Sequence, residues 1–272
     1  VAHAGAGVVT DDGSGALWHN PAAMARRTHV RAQVGLTATD RASRYDTDRQ
    51  FVGALPPTIT DRAASQTTLW GGLQLPVSHV LVLGAAWFAP PDLAFASATP
   101  RNYDRPGDDG PHEYAQRYAS TRFAIQRRGA GLGASLQPAS WLAIGASALA
   151  FATRVADERM VWAGAIGDTP YANAYDMGLS ITSRDRFVPA FVLGAIVAPT
   201  SAPIELGASV FWSDAAQLSG TPGLRSSRGT TMGTMEPLAT AAVSPDARAR
   251  ATLPRAWATR AGARFVAQRF SI

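Results

Sequence analysis

The sequence predicts an all-β protein, an antiparallel transmembrane β-barrel of the outer-membrane type preceded by a short segment that is not strand. Three observations lead there. Charged residues make up 17% of the 272 residues while 46% are apolar; an average soluble domain carries roughly 25% charge, so the chain lacks the charge a fully water-exposed surface wants. A Pro-x-Ser tripeptide recurs at nearly even steps between apolar-rich runs. The connections between those runs alternate short and long, which puts short turns at one end of a sheet and long loops at the other.

Other classes fall away quickly. The best apolar run, Phe187 to Ala198, has 12 residues and contains a Pro and a Gly, well short of the roughly 18 needed for a membrane-spanning helix. With no Cys, thiolate metal sites, disulfide scaffolds and cysteine nucleophiles are excluded. The apolar content argues against disorder. The net charge of +5 comes from 25 basic residues, all Arg, placed singly or in pairs such as Arg26-Arg27 and Arg127-Arg128. A scattered, Lys-free set without interleaved aromatics predicts no nucleic-acid partner.

The short turns are Pro76-Val77-Ser78, Pro138-Ala139-Ser140 and Pro199-Thr200-Ser201. Each has a Gly five residues before it (Gly71, Gly133, Gly194) and another seven or eight after it (Gly84, Gly145, Gly207). Proline and serine suit a tight turn and fit badly inside a ladder, so the unit is a hairpin. The long polar stretches, 40 to 64, 90 to 119, 159 to 176 and 216 to 250, hold most of the Asp, Pro and Gly clusters. Eight strands are predicted, at 28–39, 65–75, 79–89, 119–137, 141–157, 178–198, 204–215 and 251–267.

Alternation is clean where Val30, Ala32, Val34, Leu36 and Ala38 oppose Arg31, Gln33, Gly35 and Thr37. It is equally clean where Ile204, Leu206, Ala208, Val210 and Trp212 oppose Glu205, Gly207, Ser209, Phe211 and Ser213. Near the end Trp257, Ala261, Ala263 and Phe265 oppose Arg260, Gly262 and Arg264. In 80–88 and 187–198 both faces are mainly apolar, as a barrel with an apolar cargo would have; a water-filled porin needs a polar interior. A soluble β-sandwich also uses short alternating strands, but long loops confined to one end fit it poorly.

Residues 1 to 27 read differently. Gly5-Ala6-Gly7 and Asp11-Asp12-Gly13-Ser14-Gly15 form turns, and a compact apolar stretch, Ala16 to Ala25, follows. The run from Gly5 to Ala22, with Gly5, Gly7, Asp11, Asp12 and Asn20-Pro21-Ala22, resembles the N-terminal hatch of the FadL-type outer-membrane transporters of long-chain fatty acids and hydrocarbons. Arg128 to Gly145 resembles the mid-barrel hairpin of that family. Leu253-Pro254 followed by Ala261-Gly262-Ala263-Arg264-Phe265 resembles a later strand.

The resemblance implies a 14-stranded barrel plugged by the hatch, passing hydrophobic molecules without energy input and releasing them through a gap beside a distorted third strand. Residues 1–27 are then the hatch and 28–272 the first eight strands of the barrel. An eight-stranded barrel is just wide enough for its own side chains, so the hatch needs about six further strands. The expected form of these residues is therefore an incomplete barrel, an open sheet with two unpaired edges.

Carried over by position, Asn20, Pro21 and Ala22 match the hatch motif; Asn can bond to wall backbone and Pro fixes chain direction. Pro90 and Pro91 end the third strand and interrupt its ladder, either simply beginning a loop or contributing to the lateral exit. Phe123, Ile125 and Phe211 are candidate apolar lining, where each CH₂ removed from water is worth about 0.8 kcal/mol. An Arg near the mouth would pair with a carboxylate, and the sequence does not single one out.

Catalytic signals are missing. The five His are scattered, no Gly-x-Ser-x-Gly occurs, and no Ser/His pair stands out by spacing. Gly129-Ala130-Gly131-Leu132-Gly133 lacks the following helix of a phosphate loop, so its glycines are read as relieving crowding in the lumen. The acidic stretch 104–109 is read as a solvated loop rather than a Ca²⁺ site. No enzyme activity, cofactor or metal is expected. The expected partners are a hydrophobic small molecule and outer-membrane lipid, with a monomer as the oligomeric state. The competing function is a plugged barrel that serves as a structural or secretion-partner scaffold without transport.

Overall fold

A computed structural model describes residues 7–10, 13–26, 28–46, 58–89, 93–96, 122–162, 176–199, 201–226 and 246–265. Two single-turn helices, α1 (Gly7–Thr10) and α2 (Ala16–His19), and a 3-10 segment, Pro21–Arg26, come first. Eleven strands follow: β1 (Arg31–Asp46), β2 (Thr58–Pro76), β3 (Leu81–Phe88), β4 (Leu93–Ala96), β5 (Arg122–Ala139), β6 (Leu142–Trp162), β7 (Asp176–Val197), β8 (Ile204–Ser213), β9 (Ala216–Ser226), β10 (Ala249–Leu253) and β11 (Ala256–Phe265). They form one antiparallel sheet whose main path is β1-β2-β3-β5-β6-β7-β8-β11, with β4 on β5 and β9 between β7 and β10. Among the described residues β1 and β11 stand at its two open edges.

The path is eight strands wide, as predicted, but three spans are broken in two. β9 continues β8 into the 216–250 stretch expected to be loop, and β1 and β2 extend into 40–64 in the same way. β4 lies in the stretch 90–119 expected to be loop, and β10 is split from β11 at Pro254-Arg255. The reason is physical: the outer ends are polar and Gly-containing and lack a period-2 apolar pattern, so they read as loop, yet their backbone still completes the ladders. The break between β8 and β9 sits beside the one between β10 and β11, where Asp214 Oδ1 meets Arg255 Nε at 2.9 Å. Next to it the Asp185 carboxylate accepts the N–H groups of Phe187 (3.0 Å) and Gln217 (2.7 Å), standing in for a ladder carbonyl where the β6–β7 register shifts between Phe151 and Thr153.

The three Pro-x-Ser tripeptides sit at the β2–β3, β5–β6 and β7–β8 connections. Ser78 Oγ accepts the Val80 and Leu81 N–H groups at 3.3 and 3.1 Å, tying the first turn. The two faces of the sheet part cleanly. One carries exposed Val34, Leu36, Leu69, Leu73, Leu83, Leu132, Ile144, Leu193, Leu206 and Trp257. The other packs on residues 7–10 and 13–26, which touch strands from β1 to β11. A twenty-residue body reaches so many strands only if the sheet curls round it.

Candidate binding site between plug and wall

The helical segments of the plug are too short to satisfy their own carbonyls, and wall side chains supply the missing donors. Gln74 Nε2 donates to Gly13 O (2.7 Å), Ser147 Oγ to Leu17 O (2.6 Å), Arg260 Nη1 to Trp18 O (3.0 Å), Ser209 Oγ to His19 O (2.6 Å) and Ser135 Oγ to Ala22 O (3.1 Å). Gln33 Oε1 accepts the Ser14 N–H at 2.8 Å. Arg26 closes the plug's end: it donates to Val9 O and meets the Glu205 carboxylate at 2.5 Å, while Arg264 Nη2 reaches the same Glu205 oxygen at 2.6 Å.

Asn20 is the plug's central polar residue, with no exposed surface. Its amide nitrogen donates to Val8 O (2.9 Å) and to Ala195 O of β7 (3.2 Å), and its Oδ1 accepts the Ala22 N–H (3.1 Å). One side chain therefore joins α1, the 3-10 segment and the wall. Pro21 and Ala22 are buried beside it.

The repeat glycines mark the same contact. A Cβ on Gly84 would meet Met24 Sδ, on Gly133 the Leu17 side chain, on Gly145 the backbone of Pro21 and Ala22, on Gly194 the Asn20 amide and on Gly207 Val9 and Val8 O. Gly84 pairs with Gly133 and Gly145 with Gly194 across the ladders, and Ser147 and Ser135 stand opposite Gly133 and Gly145, so the plug rests in a trough of glycines and serines. Gly71, the sixth, is covered by the Trp87 ring instead. Of the Gly129 to Gly133 run, Gly129 and Gly131 give room to Phe151 and Leu149, and only Gly133 faces the plug.

Four to six residues further along the same strands Trp18 is ringed by Phe88, Phe151 and Phe211, with centroids 6.3, 5.4 and 4.8 Å away. Arg260 lies over Trp18 and Phe211 at 5.7 and 5.5 Å. Against this cluster opens a cavity of about 470 Å³, lined by Trp18, Trp70, Phe88, Ile125, Phe151 and Arg127 among others. Arg127 stands over the Phe151 ring at 4.9 Å. Its Nε is buried without a hydrogen-bond partner among the described residues. An orphaned donor in apolar surroundings is costly unless something accepts from it.

Ile125 thus lines the cavity. Phe211 packs on Trp18 behind it, and Phe123 occupies the next inward position of β5, opposite Phe95 and Asp157. Pro90 and Pro91 lie outside the described residues. Around them β3 stops at Phe88 and pairing with β5 resumes at Leu93. The β2–β3 ladder covers only Gly71 to Pro76, whereas β2 keeps pairing with β1 as far as Thr58. Trp70 and Phe88, at the top of that shortened ladder, both line the cavity. The sequence reading missed Trp18, Trp70, Phe151 and Arg127. The period of two did hold a signal for Arg127, which shares a face with Phe123 and Ile125.

No family model matches the sequence, and no curated protein matches it. Among solved structures the chain is similar to a FadL homologue of Pseudomonas aeruginosa, with a TM-score of 0.62 and 16% identity over 94% of this chain. The chain spans 63% of that structure's length. The likeness bears on the fold: an all-β antiparallel barrel sheet, incomplete among the described residues of this chain.

Proposed function

We propose that the chain belongs to an outer-membrane transporter of hydrophobic molecules with an anionic head, long-chain fatty acids being the type, and that the plug–wall cavity is its substrate site. The observation that carries this reading is Arg127, a cation with an orphaned buried donor in a cavity lined chiefly by Trp18, Trp70, Phe88, Ile125 and Phe151, with His19 and Thr37 as its other polar side chains. An acyl chain gains about 0.8 kcal/mol per CH₂ buried among those rings. A carboxylate head gives the guanidinium the acceptor it lacks. The cavity touches Trp70 and Phe88, where the β2–β3 ladder ends, so substrate leaves sideways between these strands, passing from apolar lining to lipid tails without crossing water. The likeness in fold to a FadL homologue supports the same reading.

The test is uptake of a radiolabelled long-chain fatty acid and of an alkylbenzene by cells that depend on this protein. Arg127→Leu removes the charge and keeps the bulk. Fatty-acid uptake is expected to fall about tenfold or more, the value of one charge-assisted hydrogen bond, while alkylbenzene uptake holds. Equal losses of both substrates show that Arg127 is structural. Absence of uptake together with a stably co-purifying protein establishes the scaffold reading instead.

A further inference from the structure

The arginines that look scattered in sequence are gathered by the strand register on the lipid-facing side. Gln126 of β5 pairs with Arg154 of β6, Arg154 with Arg184 of β7, Arg184 with Ser219 of β9, and Ser219 with Arg250 of β10. Three arginines therefore stand on one row. With strands about 4.8 Å apart, the row from Arg154 to Arg250 is about 14 Å wide. Arg128, Arg186 and Arg248 flank it, and all six are exposed.

Like charges directly opposite each other destabilise a ladder, and Arg154 faces Arg184 across one. The described carboxylates nearby are engaged elsewhere: Asp185 accepts two backbone N–H groups, Glu158 pairs with Arg122, Asp157 with Arg159, Asp214 with Arg255, and Asp246 has a partner of its own. Among the described residues no ion pair reaches Arg154, Arg184, Arg186 or Arg250. A countercharge for these four arginines has therefore to be sought outside the described residues.

Position narrows what that countercharge is. From Arg128 down β5 the outward residues are Ala130, Leu132, Ala134 and Leu136. Eight residues at about 3.4 Å, tilted about 40°, span about 20 Å of membrane thickness. The row thus lies at the long-loop end of the apolar band, at headgroup depth. An occupant must present anions to the arginines while its tails rest on Leu132 and its neighbours. Arginine forks match phosphate oxygens in pairs.

We propose that this row is a binding site for a lipid whose headgroup carries two or more phosphates, seated on the outer face of β5 to β10. It rests on the membrane-barrel reading above but not on the substrate cavity. The test uses the full chain in detergent micelles, with bisphosphorylated lipid A as probe and phosphatidylcholine and inorganic phosphate as comparison arms. At roughly 1 kcal/mol per arginine near an anionic headgroup, Arg154→Gln with Arg184→Gln is expected to weaken lipid A binding about thirtyfold. Arg122→Gln with Arg255→Gln removes the same net charge from paired arginines and should leave binding within about twofold.

Equal losses in the two double variants overturn the site in favour of net charge alone. Binding of inorganic phosphate or phosphatidylcholine as tight as that of lipid A overturns it as well. Heat-modifiable gel migration and protease protection in vesicles report insertion separately. A chain that never inserts defeats the barrel reading, whereas one that inserts with lipid affinity unchanged by Arg154→Gln and Arg184→Gln defeats only the lipid site.

Discussion

The two faces of this sheet come from the same alternating residues and are built for different neighbours. The inward face of β5 to β8 offers Gly133, Gly145, Gly194, Gly207, Ser135, Ser147 and Ser209, each meeting a named part of the plug, with apolar Leu149, Phe151, Val192 and Phe211 buried beside them. The outward face offers Leu, Ile, Val and Trp with no specific partner, 62 to 70% exposed at Val34, Leu36, Leu132, Leu193 and Trp257. Lipid tails, the neighbour proposed for this face, ask only for apolar surface, so its residues are interchangeable. A plug of single-turn helices asks for hydrogen-bond donors and empty space at fixed points, so its wall residues are not. Substitutions should therefore fail by polarity outside and by geometry inside.

The largest effect is expected outside. Leu132→Arg puts a charge near the middle of the apolar band, at a cost of about 2–4 kcal/mol. Urea titration of folding into vesicles should show the whole barrel destabilised, while Leu132→Phe is nearly neutral. If Leu132→Arg folds as well as the parent, the outward face is not lipid-facing and the contrast collapses.

Gly145→Val makes the opposite kind of change, apolar but bulky. Its Cβ meets Pro21 and Ala22 backbone, which no rotamer change relieves, and overpacking of this kind costs about 3 kcal/mol. The cost should fall on the plug: trypsin, which cleaves at Arg in this Lys-free chain, is expected to cut after Arg26 while vesicle insertion is retained. Loss of insertion together with the cleavage would show that plug and wall fold as one unit.

What the sequence disclosed follows the same division. The exposed apolar face was legible because Val34, Leu36 and Leu206 declare themselves by a period of two. The turns were legible because Pro76, Pro138 and Pro199 punctuate it, and the flanking glycines showed their spacing without their purpose. That purpose is a contact with residues more than a hundred positions away, such as Asn20 against Gly194, which no local pattern encodes. The arginine row was misread for a related reason. Arg154, Arg184 and Arg250 are far apart in sequence and adjacent only through register. Arg127 was overlooked because its apolar neighbours, Trp18 and Phe151, come from the plug and from the next strand.

Asn20→Ala tests the inner contact most finely, because it deletes directed bonds without adding bulk. It leaves the Ala22 N–H and the Val8 and Ala195 carbonyls short of a partner in a fully buried place. Leaving buried groups unsatisfied costs about 2 kcal/mol, less than the Gly145 clash because water can enter the space left behind. The remaining ties, from Ser135, Ser147, Ser209 and Arg260, should hold the plug in place. Cleavage after Arg26 should then accelerate by about thirtyfold, that free energy expressed as a population of the open plug, with barrel stability unmoved. Asn20→Asp separates the donor from the acceptor role: it keeps an oxygen for the Ala22 N–H but turns a second one toward two carbonyls, so it should loosen the plug more than Ala does. If Asp and Ala behave alike, the bonds to Val8 and Ala195 contribute little, and the glycine trough alone seats the plug.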